Sequence, residues 1–178
     1  MGNASLVLTV IGADRPGLVE TLAQTIADHG ASWLESRMAH LSGHFVGLLR
    51  VSVGEARAAE LAGALRALEP RGLRVIVEAA LGEAPDAAAP RLRLELVGLD
   101  RPGIVRDISR AIAQRGVNVE ELESHTSSAP MSGETLFHAE AWLRLPPEGD
   151  PDELRATLEK LADELMVELT LDREAARS

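Results

Sequence analysis

Gly12-Ala13-Asp14-Arg15-Pro16-Gly17 returns 86 residues later as Gly98-Leu99-Asp100-Arg101-Pro102-Gly103. The first copy follows the apolar run Leu6-Val7-Leu8-Thr9-Val10-Ile11, the second Leu92-Arg93-Leu94-Glu95-Leu96-Val97. Each copy precedes a stretch of helical spacing that stops at a glycine, Gly30 or Gly116. The unit reads strand, tight turn, helix, stop. Its recurrence at nearly half the chain length marks an internal repeat, and with it two similar domains.

The turn has chemistry of its own. Asp14 and Asp100 suit a helix N-cap, where a carboxylate accepts from the first free amides. Pro16 and Pro102 suit the first helical turn, where a missing N–H costs nothing. Gly17 and Gly103 let another backbone or a small ligand come close. Free amides and the positive end of the helix dipole favour a carboxylate there. The same residues also suit a turn that is only structural, and the spacing is not that of a dinucleotide-binding fingerprint.

Composition narrows the classes. The 178 residues include no cysteine, which removes a disulfide framework, a thiolate metal site and a cysteine nucleophile. Met1-Gly2-Asn3-Ala4-Ser5 lacks the basic-then-apolar pattern of a secretion signal, and no apolar run reaches membrane-spanning length. A soluble cytoplasmic protein is expected. The net charge is −10, with the acidic excess mostly in the second half, and Lys160 is the one lysine. Such a surface repels a phosphate backbone, and two Trp, two Phe and no Tyr offer little for base stacking. Direct nucleic-acid binding is not expected.

Periodicity supplies the elements. Residues 4–12 read as a strand and 16–29 as a helix with Leu18, Leu22 and Ile26 on one stripe. Residues 32–41 and 44–53 read as a hairpin around Ser42-Gly43, 55–68 as a helix, and 73–80 as a last strand. The second copy repeats the order: strand 91–98, helix 102–115 with Ile104, Val105, Ile108 and Ile112 inward, strand 117–126, loop 127–133, strand 134–145. A helix capped by Asp150 or Asp152 runs to about Leu165, and a strand closes at 166–171. Two βαββαβ units predict an α+β chain of two tandem ferredoxin-like domains. Each has an antiparallel four-stranded sheet with both helices on one face. The domains are placed at 1–81 and 91–172. Residues 82–90, with two prolines, form a linker that spans about 25 Å at about 3 Å per residue, and 173–178 a polar tail. The bare sheet faces give a reason for the copies to pair and for a homodimer.

These features resemble the ACT domain: the βαββαβ order, the strand ending in G-x-D-R-P-G, and the glycine before a strand, extended in the second copy by Gly116-Val117-Asn118-Val119. The resemblance covers the chain as two tandem copies. The tandem arrangement and the run Glu35-Ser36-Arg37-Met38-Ala39 resemble the glycine cleavage system transcriptional repressor family. That resemblance implies a regulatory module that senses an amino acid, glycine among the candidates, and represses through a DNA-binding regulator. A stand-alone regulatory subunit of an amino-acid or one-carbon enzyme is the alternative. Formyltetrahydrofolate deformylases open with a similar domain but carry a hydrolase domain after it. The family places the ligand carboxylate on backbone amides of the strand-to-helix turn. Carried over, these are Asp14, Pro16, Gly17 and Leu18, then Asp100, Pro102, Gly103 and Ile104. The motif Asn matches Asn118, while Ser32 stands in its place in the first copy. Ser offers one hydroxyl where Asn offers an amide, so the second copy is expected to carry the better site.

Other residues carry less. His40 and His44 flank the first hairpin, in places that suit two side chains facing each other, but are two ligands where zinc takes three or four, so no metal or cofactor is expected. His125 and His138 read as sheet-face residues, Trp33 and Trp142 as packing anchors, and Glu120, Glu121 and Glu123 as a solvated edge. No nucleophile motif marks the chain as an enzyme.

Overall fold

The computed structural model describes residues 2–82, 90–130 and 133–173. Residues 83–89 of the expected linker, 131–132 of the expected loop and 174–178 of the tail lie outside them. The chain divides near residue 83 into two compact units.

The first unit runs β1 (Asn3–Ala13), α1 (Leu18–Asp28), β2 (Ser32–Leu41), β3 (His44–Gly54), α2 (Ala58–Arg66) and β4 (Leu73–Ala79). The second runs β5 (Arg91–Leu99), α3 (Ile104–Gln114), β6 (Asn118–Ser128), β7 (Thr135–Arg144), α4 (Pro151–Leu165) and β8 (Val167–Arg173). The strand orders are β2-β3-β1-β4 and β6-β7-β5-β8, and every pairing is antiparallel. This is the expected α+β arrangement.

Strand alternation builds each core. Leu6, Leu8 and Val10 of β1 face Leu18, Leu22 and Ile26 of α1 and Leu61 and Leu65 of α2. In the second unit Leu92, Leu94 and Leu96 do the same with Ile104, Ile108 and Ile112 of α3 and Leu154 and Leu158 of α4. Each fully buried leucine contributes about 1.5–3 kcal/mol of transfer free energy, so each unit has a core sufficient to define it. Val105, expected inward, is instead 42% exposed, and Ala111 takes the inward place. The hairpin turn is Ser42-Gly43 with φ 48° and 79°, both left-handed, as a two-residue turn matched to strand twist requires. Asp150 caps α4, accepting from the Asp152 amide at 2.8 Å.

Both sheets carry a β-bulge at the same place. Between Trp33 and Glu35 the pairing with β3 shifts, and between Val119 and Glu121 the pairing with β7 shifts. The extra residues are Leu34 and Glu120, left outside the ladder.

The helix starts differ from expectation. α1 and α3 begin at Leu18 and Ile104, so Pro16 and Pro102 lie before the helices. The N-caps are Gly17 and Gly103, at φ 88° and 94°. A residue before proline is driven to extended backbone, which keeps Arg15 and Arg101 out of the helix. Glycine then takes the left-handed step that reverses the chain. Asp14 and Asp100 are therefore too far back to cap. The second helix of the first unit also opens late, because Glu55–Arg57 forms a 3₁₀ turn.

Candidate functional site

The strand-to-helix turns are held from behind by their own hairpins. The Asp14 amide donates to Gly43 O and the Asp100 amide to Thr135 O, both at 2.9 Å. In the first unit the Asp14 carboxylate lies 3.3 Å from His40 Nδ1, while His40 Nε2 accepts from the Gly43 amide at 3.0 Å. The second bond leaves the proton on Nδ1, so it points at Asp14. Arg15 donates to the Arg71 carbonyl. These ties consume the polar side chains of the first turn. Neither helix has a side-chain cap, and in α3 the Ile104 amide donates instead to the Arg101 carbonyl at 3.4 Å.

The second turn is more cationic. Across residues 14–24 the charges are Asp14, Arg15 and Glu20; across 100–110 they are Asp100, Arg101, Arg106, Asp107 and Arg110. The first window is net acidic and the second net basic. Arg106 folds back toward Gly103, where a Cβ would stand 2.8 Å from its Nη2. Arg106 Nε donates to Asp107 Oδ1 at 2.9 Å, and this bond holds the Asp107 carboxyl below the usual carboxylate range, with the charges of Arg101 and Arg110 acting the same way. Arg101 reaches the other Asp107 oxygen at 3.9 Å. Sequence reasoning missed Arg106 and Asp107. The signal was an arginine three places after the turn glycine, in the second copy only. Beside this turn, an apolar cleft of about 40 Å³ runs under α3 toward β6, lined among others by Ile104, Val105, Ile108, Leu122 and Phe137.

The expected site residues do not all come together. Asp100, Pro102, Gly103 and Ile104 stand where β5 ends. Asn118 is exposed and opposite Arg144, which pairs with Arg91 where β5 begins. The eight steps between place Asn118 about 27 Å from the turn. The first unit repeats this: Ser32 is opposite Ser52 and so beside Ser5, at the far end of β1 from Asp14, Pro16, Gly17 and Leu18. Leu18 and Ile104 also turn their side chains into the cores.

Two expectations about side chains change. His40 and His44 do not face each other, since His40 pairs with Phe45 and His44 with Leu41. Glu120 and Glu121 are not a solvated edge. Arg91 donates to both, at 2.9 and 2.6 Å, and Arg144 donates to Glu120. The bulge makes this possible by turning two successive glutamates toward one arginine. Arg91 also lies 4.3 Å over the Trp142 ring, on the sheet face away from the helices. His125 and His138 do share that face, stacked at 4.7 Å with rings 1° from parallel. Among the described residues, no group of three or more His, Asp or Glu side chains is placed to hold a metal, and no helix is long and apolar enough to cross a membrane.

Set against known proteins, the ACT domain matches residues 4–77 and again residues 92–164. The chain belongs to the ACT-domain family. It consists of two tandem ACT domains, one in each compact unit. It is 24% identical to the glycine cleavage system transcriptional repressor of Escherichia coli over 164 residues, 90% of this chain and 85% of that one. An unknown protein from Galdieria sulphuraria has a crystal structure that superposes with a TM-score of 0.85 at 29% identity, covering 98% of this chain and 100% of the other. A crystal structure described provisionally as a glycine cleavage system transcriptional repressor superposes with a TM-score of 0.71 at 20% identity, covering 97% and 98%. The fold is thus shared along nearly the whole length of these two chains.

Proposed function

We propose that this tandem ACT protein is a cytoplasmic amino-acid sensor and an accessory repressor, acting through a DNA-binding regulator. The observation that carries the reading is the match over 90% of the chain, spanning both domains, to a glycine cleavage system transcriptional repressor. The geometry supports the sensing half. Uncapped first-turn amides in both domains suit a carboxylate, and Arg101 and Arg106 add positive charge at the second turn. Within one domain the turn and the Asn118 end of the sheet lie too far apart for a single amino acid to touch both. The net charge of −10 supports the accessory half, because contact with DNA is then left to the partner.

A thermal-shift screen against the amino acids tests sensing, since a ligand that binds only the folded state raises apparent stability. A pull-down followed by identification of the captured protein tests the partner. Recovery of a DNA-binding regulator supports the reading; recovery of a metabolic enzyme in its place turns it toward a regulatory subunit.

A further inference from the structure

We infer that the sheet face of the first domain, on the side away from its helices, is where two copies of this chain meet. That face carries Val7, Ile11, Val46, Leu48 and Ile76 around Thr9. Leu48 and Ile76 are 53% and 52% exposed. The second domain serves as an internal control, because it has the same strand order. There the central row across the sheet reads Glu123, Glu140, Glu95 and Thr170, where the first domain has Arg37, Leu48, Thr9 and Ile76. Arg93 bridges Glu95 and Glu140 on that face, at 2.7 and 2.8 Å. One sheet face is thus built for water and its counterpart is built for cover.

The charges at the border select a second copy as the cover. Along β4 the outward residues are Arg74, Ile76 and Glu78. Among the described residues, neither Arg74 nor Glu78 has an ion-pair partner. When two copies of one sheet pack face to face, the two-fold axis lies in the plane between them. With the axis across the strands, β4 lies over its own mate in the opposite direction. Ile76 then meets Ile76, and each Arg74 meets the other copy's Glu78. Sheets pack about 10 Å apart, within reach of these side chains. With the axis along the strands, Glu78 would sit over Glu35 and Ile76 over Arg37, which opposes like charges and buries a guanidinium on an aliphatic residue. The orientation with the axis across the strands also places Arg37 over its mate and Arg50 over Val46, so the reciprocal pairing of Arg74 with Glu78 along β4 is the contact that selects a second copy and this orientation.

Sedimentation equilibrium of the full chain at micromolar concentration tests this. The wild type is expected to be a dimer. Leu48→Glu with Ile76→Glu, both on the outer face and clear of the core, is expected to weaken it by about 100-fold or more with an unchanged circular dichroism spectrum. Arg74→Glu is expected to weaken it by about 10-fold, and the exchange Arg74→Glu with Glu78→Arg to restore it. Thr170→Glu, at the matching place in the second domain, should leave the dimer unchanged. A monomeric wild type, a dimer that survives the Leu48 and Ile76 changes, or an exchange no better than Arg74→Glu alone overturns the inference.

Discussion

Glu120 lies between Arg91 and Arg144, taking a hydrogen bond from one guanidinium on each carboxylate oxygen. The bond from Arg144 is the main cause that holds its carboxyl below the usual glutamate range, with Arg91 adding to it. A carboxyl depressed in the folded state binds its proton more weakly there than in the unfolded chain. Its contribution is therefore present above the unfolded glutamate value and is lost as pH falls through the lower folded one. Denaturant titrations at pH 7 and in the acid range should show the second domain losing stability on acidification. Glu120→Gln should cost about 1–2 kcal/mol at pH 7 and flatten that loss. An acid profile unchanged by the substitution would remove Glu120 as its source.

Gly12 and Gly98 should be intolerant of alanine for different reasons. At Gly12 a Cβ would stand 2.4 Å from the Gly72 carbonyl oxygen, a backbone obstacle; at Gly98 it would stand 2.3 Å from Val167 Cγ1. Each substitution should destabilise its domain by about 1–3 kcal/mol or more. Val167→Ala should recover part of the loss at Gly98, because it removes the blocking methyl. No side-chain change should recover Gly12→Ala. Melting temperatures of the two singles and the Gly98→Ala, Val167→Ala double separate these cases.

The two domains should survive separation. Each has its own buried cluster, so cleavage within residues 82–90 leaves both cores intact. Limited proteolysis followed by mass measurement should give fragments ending in that range, each with a cooperative melt. Primary cuts inside α2 or α3 would contradict the boundary.

Effector binding should depend more on Asn118 than on Ser32. If an amide bond to a charged ligand group is lost, Asn118→Ala weakens binding by about 1–3 kcal/mol, and Ser32→Ala by less. Arg106→Ala should weaken it as well, through the charge at the turn. Calorimetric titration with an amino acid that raises the melting temperature gives the comparison. Equal affinities for wild type, Asn118→Ala and Ser32→Ala, or a larger loss at Ser32, would reverse the assignment.

The purified protein alone should give no sequence-selective mobility shift at physiological salt. Its charge of −10 opposes phosphate contact at every sequence. A specific shift without a partner protein would refute the accessory role.

Much of the fold was legible because it rests on short-range rules. The alternation of Leu6, Leu8 and Val10, the fourfold spacing of Leu18, Leu22 and Ile26, and the glycines that stop α1 and α3 each act within a few residues. The helix starts were misread because two rules compete at one place. Asp followed by Pro looks like a cap and first turn, yet the constraint that Pro16 sets on Arg15 delays the helix to Leu18. The pairing of Glu120 with Arg91 and Arg144 was out of reach for another reason. It depends on a bulge and on residues 29 and 24 positions away, which no local pattern records. The separation of Asn118 from Gly103 is of the same kind, since both belong to one motif in sequence and to opposite ends of one sheet in space.

That separation changes what a signal means in this molecule. A compound gripped by the turn of one chain and the Asn118 end of a second chain would be bound by neither alone, so its affinity would include the free energy of bringing the two chains together. By linkage the compound must then strengthen their association by the same factor that association strengthens its binding. Such a protein would report solute concentration as a degree of assembly, with no change of fold inside either domain.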